Sequence, residues 1–149
     1  MDVIKLIKQD HETVEGLFKK FEEAGSKAYK TKRSIADRVI QELSVHAELE
    51  EQLMYPVMRR VLDDGEELVQ EAIVEHTEAK KTMAEMSGLS GEDPLLDAKM
   101  SALIGEVRHH VKEEEEEMLP KLRDGMSRQE LEDLGQRMQE AKKEMQKAA

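Results

Sequence analysis

The chain has 149 residues, a net charge of −11, 3% aromatic residues and no cysteine. Without cysteine there are no disulfides, Fe–S clusters or thiolate metal sites, which leaves histidine and carboxylate as the strong ligands. The acidic balance offers no basic face to displace counterions, so nucleic acid is not expected as a partner.

Few prolines and glycines, many charged residues and ten methionines point to an all-α protein of one domain. The spacing predicts a first helix from about Val3 to Ala24, with Ile4, Ile7, His11, Val14, Phe18 and Phe21 on one inward line. A basic linker follows, carrying Lys27, Lys30, Lys32 and Arg33. A second helix, roughly Ser34 to Leu62, aligns Val39, Leu43, His46, Glu50, Leu53 and Val57. Pro56 lies inside it, and a proline there removes a backbone donor and crowds the Gln52 carbonyl, which predicts a kink. The third helix, about Glu66 to Met86, turns Val69, Ala72, His76, Ala79, Met83 and Met86 inward. After a glycine- and serine-rich loop, Pro94 opens a fourth helix reaching about Arg123, with Leu103, Val107, His110 and Glu114 inward and a second kink expected at Pro120. Ser127 and Glu130 form a capping box for a fifth helix whose apolar stripe is Leu131, Leu134, Met138, Ala141 and Met145.

The chain repeats itself. His46-x-x-x-Glu50 and His110-x-x-x-Glu114 are each followed by Met four residues after the Glu and Pro two after that, at a constant offset of 64. The first and third helices match at an offset of 65, including His11 and His76. Short connections place successive helices antiparallel, giving an up-down-up-down four-helix bundle over residues 1–125. Residues 126–149 supply an additional C-terminal helix, packed on or extending from the bundle.

A His and a Glu four apart stand one helical turn apart on the same face, so two such pairs can grip one object from two sides. A single core histidine is ordinary, but four in repeat-equivalent places with two inward glutamates are not. Burying Glu50 and Glu114 without a facing Arg or Lys costs several kcal/mol per charge unless a cation is present. The expected cation is a metal pair held by His11, His46, Glu50, His76, His110 and Glu114. Imidazole and carboxylate together suit Fe, Zn or Mn. Six ligands over two ions leave coordination positions open for small molecules.

Within the glutamate run Glu113–Glu117, helical phase selects Glu114 as inward, with Glu117 a weaker candidate and Glu113, Glu115 and Glu116 a solvated face. Glu15 follows His11 by four and is a further candidate ligand, with a Glu15–Lys80 ion pair across the bundle as the alternative. Tyr55, nine after His46, points away on an ideal helix unless the distortion at Pro56 redirects it toward the metals. His109 is expected at the surface. The methionines Met54, Met83, Met86, Met100 and Met118 read as core.

The pattern H…HxxxE…H…HxxxE on four helices resembles the hemerythrin-like, HHE cation-binding family over about residues 3–123. That resemblance implies a non-haem centre of two Fe ions with oxo or hydroxo bridges, in which the four histidines are terminal ligands and Glu50 and Glu114 are bridges. The oxygen-carrying hemerythrins have a second histidine where this chain has Lys80, and a more widely spaced aspartate where it has Glu114. One imidazole fewer opens one iron, which points from reversible O2 carriage toward redox turnover or sensing. Mycobacterial hemerythrin-like proteins have a similar ligand set, associated with a catalase-like activity. The implied function is a reaction with peroxide or O2; the alternative is a module that senses, binds or stores O2, NO or iron. No segment suits a signal peptide or a membrane span, so a cytoplasmic monomer or homodimer without membrane contact is expected.

Overall fold

The computed structural model describes residues 1–148, and among these all regular structure is helical. Helix α1 spans Val3–Glu23 and α2 spans Tyr29–Leu49. A wide helical turn, Glu50–Met54, carries α2 directly into α3, Tyr55–Val61. Helix α4 covers Gly65–Met86 and α5 covers Pro94–Glu113. A second wide turn, Glu114–Met118, leads into α6, Leu119–Gly125, and α7 runs over Arg128–Ala148. The molecule is thus a four-rod hemerythrin-like bundle, α1, α2–α3, α4 and α5–α6, with α7 lying against α1 and α2.

The helix ends are set by local chemistry. Asp2 caps α1 by accepting from Lys5 N–H at 2.9 Å, and Asp93 caps α5 by accepting from Leu95 N–H at 2.9 Å. The capping box forms: Glu130 N–H donates to Ser127 Oγ at 3.1 Å and Ser127 N–H to Glu130 Oε1 at 2.9 Å. Where α7 crosses the start of α1, Gly135 is required. A Cβ there would stand 2.3 Å from the Met1 carbonyl oxygen.

Two expectations are corrected. The basic linker is largely helix, because α2 begins at Tyr29 rather than Ser34. Lys32 is buried and bonds Asp97 of α5 at 3.2 Å, while Arg33 donates to the carbonyls of Met86 and Leu89 at 2.9 and 2.8 Å, satisfying the end of α4. The second correction concerns the prolines. The distortion sits one turn before each of them, as a wide turn in which Tyr55 N–H bonds Glu50 C=O and Leu119 N–H bonds Glu114 C=O, five residues back. Proline offers no N–H and its ring presses on the preceding turn, and widening that turn accommodates both effects.

The apolar core is divided. One part gathers Ile7, Leu49, Met54, Tyr55, Met58, Met118, Leu119 and Leu122 with the stripe of α7. The other gathers Val14, Phe18, Val39, Met83, Met86, Met100, Leu103 and Val107. The polar layer of histidines and glutamates lies between them.

Candidate metal centre

The helices bring six side chains to one buried point. Glu50 and Glu114 open the two wide turns and are 0% exposed, and His11, His46, His76 and His110 are all buried around them. His11 Nε2 lies 3.0 Å from Glu114 Oε1, and His46 Nε2 lies 3.2 Å from Glu50 Oε1. On the other side, His76 Nε2 is 3.2 Å from Glu50 Oε1, and His110 Nε2 is 3.3 Å from Glu114 Oε2 and 3.2 Å from His76 Nε2.

The donors fall into two groups with Glu50 in common: His11, His46, Glu50 and Glu114, then Glu50, His76 and His110, each within 4.8 Å throughout. Ligand atoms about 2.1 Å from one ion stand roughly 3 to 3.5 Å from each other; the contacts of 3.0 to 3.3 Å fall in that range, while His46 Nε2–Glu114 Oε1 and His110 Nε2–Glu50 Oε1 are wider at 4.0 Å. Four atoms of the site, His11 Nε2, His46 Nε2, Glu50 Oε2 and Glu114 Oε1, are buried and make no well-directed hydrogen bond among the described residues, although His11 Nε2 and Glu114 Oε1 stand only 3.0 Å apart. Orphaned polar atoms aimed at a common point are what a cation would satisfy. The donor set fits bound metal.

Every imidazole is held from behind. His46 Nδ1 bonds Asp10 at 2.9 Å, and its repeat partner His110 bonds Glu75 at 2.6 Å. His11 Nδ1 bonds Glu115 at 2.6 Å, and its repeat partner His76 bonds Glu51 at 2.8 Å. Such a carboxylate fixes the ring and, with the proton on Nδ1, turns the Nε2 lone pair inward. Sequence reasoning left Asp10, Glu51 and Glu75 unassigned and placed Glu115 on a solvated face. The duplication carried the signal. An acid directly precedes His11 and His76, and another directly follows Glu50 and Glu114.

The charges of this layer are strongly coupled. Burial opposes charge on His46, but Glu50 and Asp10 outweigh it and lift the imidazole to about 10. Burial likewise opposes charge on His110, which Glu114, Glu50 and Glu75 lift to about 12. His11 is raised against burial by Glu114. Glu50, despite a burial penalty, is held well below the usual carboxylate range by His46, His110 and His76.

Tyr55 is at the site. Its hydroxyl lies 3.2 Å from His76 Nε2, 3.3 Å from Glu114 Oε2 and 3.4 Å from Glu50 Oε1. Burial, then the charges of Glu50 and Glu114, push the phenol well above its ordinary value, so the O–H keeps its proton. An ideal helix would turn this residue outward. The wide turn stacks Tyr55 over Glu50, five residues back, and rotates it inward. The equivalent place in the second repeat is Leu119, so the hydroxyl belongs to one half only.

Glu15 stands elsewhere, paired at the surface with Arg108 at 2.9 Å. The alternative Glu15–Lys80 pair does not form either, because Lys80 binds Glu51 at 3.0 Å. Arg108 on neighbouring α5 offers a planar fork that takes both Glu15 and Glu22. Glu117 is exposed and faces Lys121 at 3.5 Å. His109 is exposed and lies 3.0 Å from Glu113 and 3.5 Å from Glu75.

The family model for the hemerythrin HHE cation-binding domain matches residues 2–122. The chain belongs to the hemerythrin HHE cation-binding family. A hemerythrin HHE cation-binding domain-containing protein from Mycobacterium kansasii has a crystal structure that superposes with a TM-score of 0.85 at 21% identity, covering 99% of this chain and 89% of that one. That likeness establishes the bundle with its fifth helix. A DNA nickase from Nostoc sp. (strain PCC 7120 / SAG 25.82 / UTEX 2576) is 25% identical over 146 residues, 98% of this chain. The chain spans 40% of that relative's length. Among the described residues, no helix of this hemerythrin-like domain is long and apolar enough to cross a membrane.

Proposed function

We propose that this hemerythrin-like domain holds two iron ions and reacts with peroxide or O2. His11, His46, Glu50 and Glu114 would hold one ion, and His76 and His110, with Glu50 and Glu114 shared as bridges, the other. The carrying observation is the arrangement of the imidazoles, each fixed at Nδ1 by a carboxylate and turned at Nε2 toward two fully buried glutamates. When bound, an iron pair supplies the redox equivalents for converting peroxide or O2.

The chain's own groups do the rest. The outer carboxylates orient the imidazoles and strengthen them as donors. Glu50 and Glu114 are fully buried, which strengthens each electrostatic contact they make. Tyr55 retains its proton beside both glutamates, and it can donate that hydrogen bond to whichever oxygen gains charge. No cysteine or serine nucleophile is needed.

The nickase named among the relatives is a longer protein, most of whose length has no counterpart here. A net charge of −11 disfavours approach to a phosphate backbone. The test is metal analysis of protein from iron-replete cells, then optical spectra, then oxygen release after adding hydrogen peroxide. Two irons per chain with sustained oxygen release support peroxide turnover. Two irons with reversible spectral changes under O2 or NO and no oxygen release would select a binding or sensing role.

A further inference from the structure

Each carboxylate behind an imidazole has a second, outer oxygen, and the repeat sets two of these side by side. In the first half, Asp10 Oδ2 holds His46 Nδ1 at 2.9 Å, and Lys142 Nζ meets Asp10 Oδ1 at 2.6 Å. A full positive charge thus stands behind the acid that orients His46. In the second half, Glu75 Oε1 holds His110 Nδ1 at 2.6 Å in the same way. No ammonium stands behind it. Helix α7 packs on α1 and α2, and among the described residues no Lys or Arg pairs with Glu75.

Glu75 Oε2 faces His109 Nε2 at 3.5 Å, and His109 Nε2 stands 3.0 Å from Glu113 Oε1. The three ligand atoms all lie within 4.8 Å of one another. His109 and Glu113 are one turn apart on α5, and Glu75 reaches the same point from α4. Glu113 has no Lys or Arg partner among the described residues, and the charge of Glu71 acts on it as well. Like charges held this close repel unless a cation joins them. The repeat counterparts of His109 and Glu113 are Val45 and Leu49. The cluster therefore occurs only in the half of the molecule that lacks the lysine.

We propose that Glu75 Oε2, His109 Nε2 and Glu113 Oε1 form a surface site for one divalent cation of the Zn2+ or Co2+ class. One imidazole nitrogen and two carboxylate oxygens suit such an ion, and the exposed position leaves its remaining coordination to water. The ion takes the place that the Lys142 ammonium has in the other half. It neutralises the outer oxygen of Glu75 and steadies the acid that orients His110. The site shares no ligand with the buried centre and does not depend on iron or peroxide chemistry there.

The whole chain is loaded with Zn2+ and dialysed against metal-free buffer, and the ions it keeps are counted. Further Zn2+ is then titrated by calorimetry while the His109 ring signals are followed by NMR. The wild type should bind one ion whose uptake saturates together with a shift at His109. In His109→Ala and in Glu113→Gln, that ion should be lost or bound at least about tenfold more weakly. Helical circular dichroism matching the wild type shows that both variants fold. A wild type without a saturable His109 shift overturns the site, as does a His109→Ala protein that takes up as much Zn2+ as tightly. A buried centre that keeps no metal would leave the His109 shift intact, which tells the two sites apart and supports this one.

Discussion

The proton inventory of the centre shows at the level of single residues what the site is built to hold. Six carboxylates, Asp10, Glu50, Glu51, Glu75, Glu114 and Glu115, surround four imidazoles. On the proposed reading, two divalent cations would carry the same charge as four imidazole protons, so metal and proton would compete for one layer. With their pKa values raised to about 10 and about 12 in the metal-free layer, His46 and His110 each hold a second ring proton at neutral pH. Metal uptake at pH 7 is therefore expected to release at least two protons per chain, seen as a dependence of the calorimetric binding heat on buffer ionisation enthalpy. Apparent affinity should fall as pH falls. Without metal the sign reverses. The folded imidazole values lie above the unfolded value of 6.5, so their contribution is complete below pH 6.5 and is lost as pH rises through about 10. Chelator-treated protein should show a lower denaturation midpoint at pH 9 than at pH 6.5. Tyr55→Phe removes one hydroxyl that three acceptors share. It should cost on the order of 1 kcal/mol in the metal-free protein, read by denaturant unfolding, with two metals per chain retained.

Individual elements explain both the reach and the limits of sequence reading. The 3.6-residue period locates His11, His46, His76 and His110 on four helix faces and selects Glu114 from five consecutive glutamates, because α1, α2, α4 and α5 are regular up to the site. The period fails beyond Glu50, where hydrogen bonding changes to five residues back and Tyr55 comes inward. Proline signals that something must give, but not whether the helix kinks or widens. Asp10, Glu51, Glu75 and Glu115 are hard to read for another reason. Charged residues at helix positions flanking a ligand look solvated, and only the partner helix reveals their targets. Helix α7 adds a further case. Its Lys142 bonds Asp10 Oδ1 at 2.6 Å, and Asp10 in turn bonds His46, so the fifth helix reaches the centre through a two-bond strut. Lys142→Met should leave the nearly buried Asp10 carboxylate with one partner fewer. An expected loss of about 1–3 kcal/mol in stability, read by denaturant unfolding, should come with weaker metal retention against a competing chelator. Lys142→Arg should retain most of both.

For the whole molecule, the centre joins two apolar half-cores that otherwise meet only through a layer of buried charge. Metal bound to the folded state alone stabilises it by mass action. Glu50 belongs to both donor groups, so Glu50→Ala should lose both ions, and its melting temperature should no longer respond to added metal. His46→Ala, which touches one group, should keep part of that response. The two halves of the chain repeat one plan, yet their surroundings differ. Asp10 is tied to the Lys142 ammonium, whereas Glu75 stands beside exposed His109 and Glu113, and Tyr55 has Leu119 as its counterpart in the other repeat. A truly symmetric pair of sites would fill at random, giving equal numbers of left- and right-occupied molecules at half loading. This chain should instead give one dominant half-loaded species, visible with paramagnetic cobalt as a single set of shifted histidine signals. The repeat supplies the paired His and Glu residues, and the fifth helix and one tyrosine make the surroundings of its two halves unequal.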